Sequence, residues 1–471
     1  VTDIPAEGTR IADARDAAKQ PAQAVAAADD NAGFYPNKTA AYYGLFVMSG
    51  CVMFTILDRQ ILNLMVEPVK HDFGLTDTQM ALLLGIAFSS TYFVCGLPVA
   101  RIADTWSRRA VISISVAVWS FSTVLCGFAQ NFWQMFAARM GIGAGESGYS
   151  PATWSILADT FPRQKLALAN GILGIGNQVG QGLALILGAS ALHVVSQFPP
   201  VHIPGVGELR PWQWAFIIVG APGLLWAALV QFTTKDPPRR GVVTTTKLEA
   251  VPLKRVFGYL FDDWRCFGPI MLAKFVKILL SMGTTAWMPT LLRREFDWDL
   301  TRIGFVQGAV IFVVAPIALV LGGKLSERWT KQGKWEANMR IVSYTALAMI
   351  PVASLFPVMP TAELCLALYG ATIFFGMFGL GPAAAALQLV TPNQMRSQIS
   401  AIGQIMTNVL GNALGPLMVA LLTDYVFSSP NDLKYSMTTC AIILAPISAV
   451  VTWYGVKPYK RSIQRLAQVS G

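Results

Sequence analysis

Apolar stretches of about twenty residues recur along almost the whole 471-residue chain, and this recurrence restricts the fold more than any single motif. Roughly 20 apolar residues in a helix cross about 30 Å of hydrocarbon, where every backbone N–H and C=O must be satisfied internally. The stretches are too long for the alternating strands of a barrel. Composition agrees, since 54% of the residues are hydrophobic and 13% charged, against about 25% charged in an ordinary soluble domain. The reading is an all-α membrane protein of about twelve transmembrane helices.

Apolar runs broken by charge clusters and Pro/Gly turns place the spans near 43–66, 79–102, 110–129, 133–157, 167–190, 212–232, 266–290, 303–322, 339–357, 363–387, 398–422 and 437–456. The stretch TTKDPPRRGVVTTTKLEAVPLKR at 233–255 divides them six and six. This predicts a loose cytoplasmic tail at 1–40, a six-helix bundle at 41–232, a linker at 233–262, a second bundle at 263–456 and a tail at 457–471. The tail at 1–40 has no apolar core of a signal peptide. Its Asn37-Lys38-Thr39 sequon falls on the side assigned to the cytoplasm.

The net charge of +10 does not point to nucleic acid, because the basic residues lie in short loops with no zinc, helix-turn-helix or stacking motif. They report topology. Loops after even-numbered spans hold Arg101, Arg108 and Arg109; Arg163 and Lys165; Lys324, Arg328, Lys331 and Lys334; and Arg396, while RREFDWDL at 293–300 balances its arginines with acids. The positive-inside rule then places both termini in the cytoplasm of a cell with the chain in its inner membrane. Five of the six cysteines (Cys51, Cys95, Cys126, Cys365, Cys440) fall inside spans and Cys266 near another, so free thiols are expected. His71, His193 and His202 fall in outer loops without ligand spacing, and no metal or other cofactor is expected.

The halves echo each other. ARIADTWSRR at 100–109 follows span two and GKLSERW at 323–329 follows span eight, placing Glu327 where Asp104 stands. FPRQK at 161–165 pairs with TPNQMR at 391–396. Spans five and eleven carry Gly176-x-x-x-Gly180 and Gly411-x-x-x-Gly415, stripes that let backbones approach closely. Two pseudo-repeated six-helix bundles with a site between them are the layout of a secondary transporter.

With these motifs the chain resembles the major facilitator superfamily. Asp104, Arg108 and Arg109 fit the G-x-L-x-D-R-x-G-R-R loop, whereas Ala100, Thr105 and Ser107 depart from it. Asp58-Arg59-Gln60 in span one, GLTDTQMALLLGIAFSSTYFVCGLPVARIAD at 74–104 and RMGIGAGESGYSPATWSILADTFP at 139–162 are similar to the Spinster subfamily. That resemblance implies export of a lysophospholipid or a sphingosine phosphate by alternating access, with a cytoplasmic gate at Asp104, Arg108, Arg109, Glu327 and Arg328. The superfamily's organic-anion/proton symporters share an Asp-Arg in span one and are the alternative. The expected partners are membrane lipids and an amphiphilic or organic-anion substrate, with the chain acting as a monomer.

Charges inside spans are the strongest site signal, because each costs about 2.5–3.5 kcal/mol at the bilayer centre. Asp58 and Arg59 are neighbours in span one, while Arg139 and Glu146 lie seven residues apart on one face of span four. Counting 1.5 Å per residue from exits at Glu67 and Asn131 puts Asp58 about 13 Å and Arg139 about 12 Å deep, so the two can meet, and Glu146 about 10 Å deeper than Arg59. Asp58 and Glu146 are expected to carry a proton, the coupling ion. Arg59 and Arg139, with Asn177, Gln181, Gln404 and Asn408, are expected to bind substrate. Gln178, Gln307, Gln388 and Asn412 are further candidates to line the cavity. The alternative is a static network pinning span one to span four. Lys274 and Lys277 in span seven are expected to snorkel to the cytoplasmic interface, with a phosphate-attracting vestibule as the alternative. A membrane enzyme is disfavoured by the lack of H-E-x-x-H, G-x-S-x-G and G-x-x-x-x-G-K-[ST] motifs, and a channel by the lack of a filter-like loop.

Overall fold

A computed structural model describes residues 34–195, 197, 202–203, 207–238, 253–391, 395, 399, 402 and 406–470. Eleven helices there are long and apolar enough to cross a membrane: Lys38–Leu64, Asp77–Gly96, Arg108–Phe128, Leu168–Val195, Pro211–Thr233, Trp264–Phe296, Leu300–Lys331, Ala337–Val358, Ala362–Leu389, Val409–Phe427 and Pro430–Arg465. The expected crossing at 133–157 is split into Phe132–Glu146 and Tyr149–Thr160. Ser147 donates its hydroxyl to Ala144 O at 2.7 Å, and a Cβ on Gly148 would lie 2.5 Å from Val99, so the break sits where only glycine fits. With this broken crossing as span four, the spans number in the expected order. Span one starts, and span twelve ends, on what we call the terminal face; the opposite side is the far face.

Helix starts follow capping chemistry. Asn37 caps span one through Ala40 N at 2.9 Å, and Thr76 and Gln79 form a reciprocal capping box at the start of span two. Span two contains a π-turn at Leu82–Ile86, and span eleven carries π-turns at Met406–Gly411 and Leu422–Phe427. Such turns release carbonyls from the regular helical ladder.

The halves meet along spans five and eight and along spans two and eleven. A Cβ on Gly308 would lie 2.6 Å from Gly182 O, and one on Gly304 2.8 Å from Leu185 O, so backbones touch in the far half of the molecule. Gly182 was not singled out by the small-residue motifs. The nearest neighbour that a Cβ on Gly176 would meet is Ser49 at 3.9 Å, and on Gly180 Ile56 at 3.4 Å, both on span one, whereas Gly415 packs on Leu279 O at 2.8 Å in span seven. On the terminal side, Tyr149–Thr160 and Leu380–Leu389 find their main packing partners within their own halves. Among the described residues, the close backbone contacts and ion pairs between the halves lie toward the far face.

Two of the expected segments carry helix, and one further element appears. Part of the 233–262 linker is a helix, Leu253–Asp262. Residues 457–470 of the expected C-terminal tail continue the helix Leu433–Ser470, with Tyr459 and Ile463 buried against Val256, Cys266 and Phe267. A two-residue hairpin, His202–Ile203 with Gly207–Glu208, lies in the loop after span five. The sequence from 1 to 33 lies outside the described residues, and all six cysteines are free.

Candidate functional site

Span one carries Thr55, Arg59 and Asn63 as partly exposed residues four apart, one face of a helix. Arg59 Nε donates to Glu146 Oε2 at 2.9 Å, and its Nη2 reaches the same oxygen. The guanidinium stacks 4.3 Å over the Phe88 ring, an arrangement that favours a cation over the ring face. Its side chain is 27% exposed while that of Glu146 is 1% exposed, so Arg59 is the accessible partner. The expected 10 Å offset between them does not occur. Span one ends at Leu64, and a separate short helix, Val66–Phe73, follows a break at Met65, so a straight count of depth from Glu67 does not hold. Side chains also lean toward their own helix N-terminus. Spans one and four run oppositely, so Arg59 and Glu146 lean toward each other.

The same tilt separates the other pair. Asp58 leans away from Arg139, while its carbonyl points along the chain, and Arg139 Nη1 donates to that carbonyl at 3.2 Å. Arg139 also donates to Leu83 O at 3.2 Å and Leu84 O at 3.4 Å, carbonyls of the π-turn in span two. Buried and committed to three main-chain acceptors, Arg139 braces spans one, two and four together. Asp58 is buried as well. Neither of its carboxylate oxygens has a hydrogen-bond partner among the described residues, nor has Glu146 Oε1. The neighbouring Thr123 gives its hydroxyl hydrogen to Trp119 O at 3.0 Å.

Of the remaining candidates, Asn177 is exposed and Gln181 half-buried on span five. Gln307 is fully buried and donates to Tyr369 Oη at 3.3 Å, which makes it an interhelical contact rather than a cavity residue. Gln388 is exposed in a pocket of the terminal face with Ser326 and Asn338. Gln404 and Arg396 lie outside the described residues, as do the side chains of Asp104, Gln178, His202 and Asn408. His71 is exposed, and His193 meets Gln197 at 3.0 Å.

The lysines of span seven depart from expectation. The helix starts at Trp264, so Lys274 and Lys277 lie about 15 and 20 Å along it, too deep for snorkelling to its end. Lys277 donates to Phe375 O at 3.4 Å.

Among the described residues, Arg108, Arg109, Glu327 and Arg328 make no ion pair across the halves. Arg108 is buried within the first half, where it pairs with Asp159 and, at 3.1 Å, with Asp236, and Arg109 donates to Thr234 O at 3.4 Å. Glu327 pairs with Lys331 on its own helix at 2.5 Å, and Arg328 is exposed. The described ion pairs between the halves lie on the far face, at residues that the sequence reading does not single out. Arg294, at the end of span seven, donates from Nη1 to Asp77 Oδ2 at 2.8 Å, from Nη2 to Asp77 Oδ1 at 2.7 Å and from Nε to Glu67 Oε1 at 2.9 Å. Lys70 also pairs with Asp77, and Thr78 N donates to Asp424 Oδ2 at 2.6 Å. The arginines of RREFDWDL are therefore not balanced locally. Glu295 pairs with Lys434 at 2.7 Å and Asp299 caps span eight, which leaves Arg294 for the first half. Charges flanking short outer loops were the available signal.

Comparison with known proteins agrees with this architecture. The family model described as Major Facilitator Superfamily matches residues 48–416. An "MFS-type efflux pump" of Mycolicibacterium smegmatis is 24% identical over 436 residues, covering 91% of this chain and 95% of that protein. Protein spinster of Drosophila melanogaster is 25% identical, covering 80% of this chain and 61% of its own length, and a probable sulfoacetate transporter of Cupriavidus necator is 25% identical, covering 66% and 70%. Among solved structures, a bacterial homolog of the human lysosomal transporter Spinster, inward-facing and unoccupied, matches with a TM-score of 0.72 at 22% identity over 91% of this chain and 98% of that one. The paired six-span layout, the seam between halves and a family match spanning most of the chain lead to one assignment: this chain belongs to the Major Facilitator Superfamily and is a multi-pass membrane transporter.

Proposed function

We propose that the chain is a proton-coupled secondary transporter that exports an amphiphile with an anionic head group, such as a lysolipid or sphingoid phosphate, by alternating access. The observation that carries this reading is the Arg59–Glu146 pair beside the unpartnered Asp58 carboxylate. An ionised carboxylate buried without donors is costly, and a proton removes that cost. A proton on Glu146 likewise weakens its hold on Arg59, the half-exposed cation of the site, and frees it for an anion. Proton movement and anion binding thus compete for one guanidinium. We take the terminal face as cytoplasmic from its basic loops, and the arrangement with its close contacts toward the far face as inward-facing. Asp104, Arg108, Arg109, Glu327 and Arg328 then form the gate that closes in the opposite state.

The second reading is an organic-anion/proton symporter. It is favoured by relatives named as a probable sulfoacetate transporter and a D-galactonate transporter. Flux into proteoliposomes separates the two. Under the first reading, a pH gradient drives saturable movement of a lysophospholipid and not of galactonate. Movement of neither, or equal movement without a gradient, overturns proton-coupled transport of this class.

A further inference from the structure

The four charged groups within spans one and four balance, since Asp58 and Glu146 match Arg59 and Arg139 in formal charge. The second half has no such balance. On span seven, Lys274, Ile278, Ser281 and Thr285 are all half-buried and recur at helical spacing, so they form one face. The opposite face, Val276, Leu279, Leu280 and Gly283, is buried within the second half. This partly open face carries Lys274, Ser281 and Thr285, has Ile278 against Gly411 of span eleven and Thr285 beside Tyr369 of span ten, and belongs to a helix whose far end is clasped to the first half by Arg294. Lys274 has neither a hydrogen bond nor an ion pair among the described residues. Span ten is interrupted at Gly379, between Ala362–Phe378 and Leu380–Leu389; Lys277 flanks the same face there, a Cβ on Gly379 would lie 2.8 Å from its Nζ, and its one hydrogen-bond partner among the described residues is the Phe375 carbonyl. A deep cation without a counter-charge is expensive to keep in a membrane and marks a substrate path.

We propose that Lys274 and Lys277 form an oxyanion-binding wall in the second half that receives the acidic group of the cargo. This rests on the anionic-cargo reading above and extends it. Carboxylates of the first half handle protons, and cations of the second half hold charge that the proton cannot neutralise. The ligand chemistry is a phosphate, sulfonate or carboxylate, whether on an amphiphile or on a small acid.

The test is binding to the full-length protein in neutral detergent at fixed pH, read by intrinsic tryptophan fluorescence, with lysophosphatidic acid, sulfoacetate and uncharged monoolein as probes. Lysophosphatidic acid or sulfoacetate, whichever binds, identifies the source of the anion. For that probe, Lys274→Gln should raise Kd about tenfold or more and Lys274→Arg should restore most of the affinity, while any monoolein binding stays unchanged. Lys277→Gln should weaken binding similarly, but this lysine also caps the break in span ten, so Lys274, which touches no partner, decides the matter. Wild-type affinity for the acid in Lys274→Gln, preference for monoolein, or no binding of either acid to the wild type overturns the proposal. Failure of proton-driven flux with anion binding intact would instead overturn the coupling reading alone.

Discussion

Arg294 and Asp77 stand 217 residues apart in the chain and meet through two hydrogen bonds of 2.8 and 2.7 Å. Asp77 is 0% exposed and Arg294 7%, so the pair is shielded from water and joins the halves at the far face. Charged hydrogen bonds contribute about 1.5–3 kcal/mol each. Arg294→Ala is therefore expected to raise the population opened at the far face at least tenfold. Spin labels placed at His71 and Asn431 on a cysteine-free background should show the distance between them lengthening. An unchanged distance distribution would remove the clasp from the gating cycle.

Glu146→Gln retains shape and removes charge. The amide cannot hold Arg59 as an ion pair, so transport should lose its response to pH while the protein stays folded. Arg59→Lys keeps the charge but loses the planar stack on Phe88 and the forked contact with Glu146. Flux in this variant should fall about tenfold, a difference of roughly 1.4 kcal/mol. Initial rates across a pH series check both.

Arg139 gives the opposite signature. It satisfies carbonyls of Asp58, Leu83 and Leu84, and an unsatisfied buried acceptor costs about 1–3 kcal/mol. Arg139→Lys, with one compact donor head, is expected to lower the thermal midpoint clearly while leaving the KM of surviving protein near wild type. A raised KM at unchanged midpoint would return Arg139 to the cargo site.

The seam of spans five and eight is steric. In Gly308→Val, side-chain atoms must occupy space already filled by Gly182 O at 2.6 Å and Ile186 at 2.8 Å. Overpacking costs about 1–3 kcal/mol, so the far-closed arrangement should weaken. Gly171→Ala, where a Cβ meets nothing within 4 Å, is the control and should leave the midpoint unchanged.

The sequence makes the spans legible because bilayer thickness imposes one length on every crossing. It also displays Asp58, Arg59, Arg139 and Glu146, since charge at that depth has few benign explanations. Their pairing was misread. A depth count from Glu67 presumes one straight helix, whereas the helix breaks at Met65 and a second one, Val66–Phe73, follows. The tilt of Cβ, which turns Arg59 toward Glu146 and Asp58 away from Arg139, is a property of helix direction and was available without coordinates. Other features were not legible. The π-turn at Leu82–Ile86 has no fixed sequence signature, and it supplies the acceptors that occupy Arg139. Arg294 is surrounded by nearer acids in its own loop, and only the fold reveals that these are engaged elsewhere.

The central claim is that protonation in the first half competes for Arg59 and so links proton movement to cargo. The most direct measurement compares two fluxes in Asp58→Asn proteoliposomes. Cargo exchange between equal concentrations on both sides, without a pH gradient, should persist because binding and rocking remain, while uphill accumulation driven by a pH gradient should be abolished. Undiminished pH-driven accumulation in Asp58→Asn would contradict the claim.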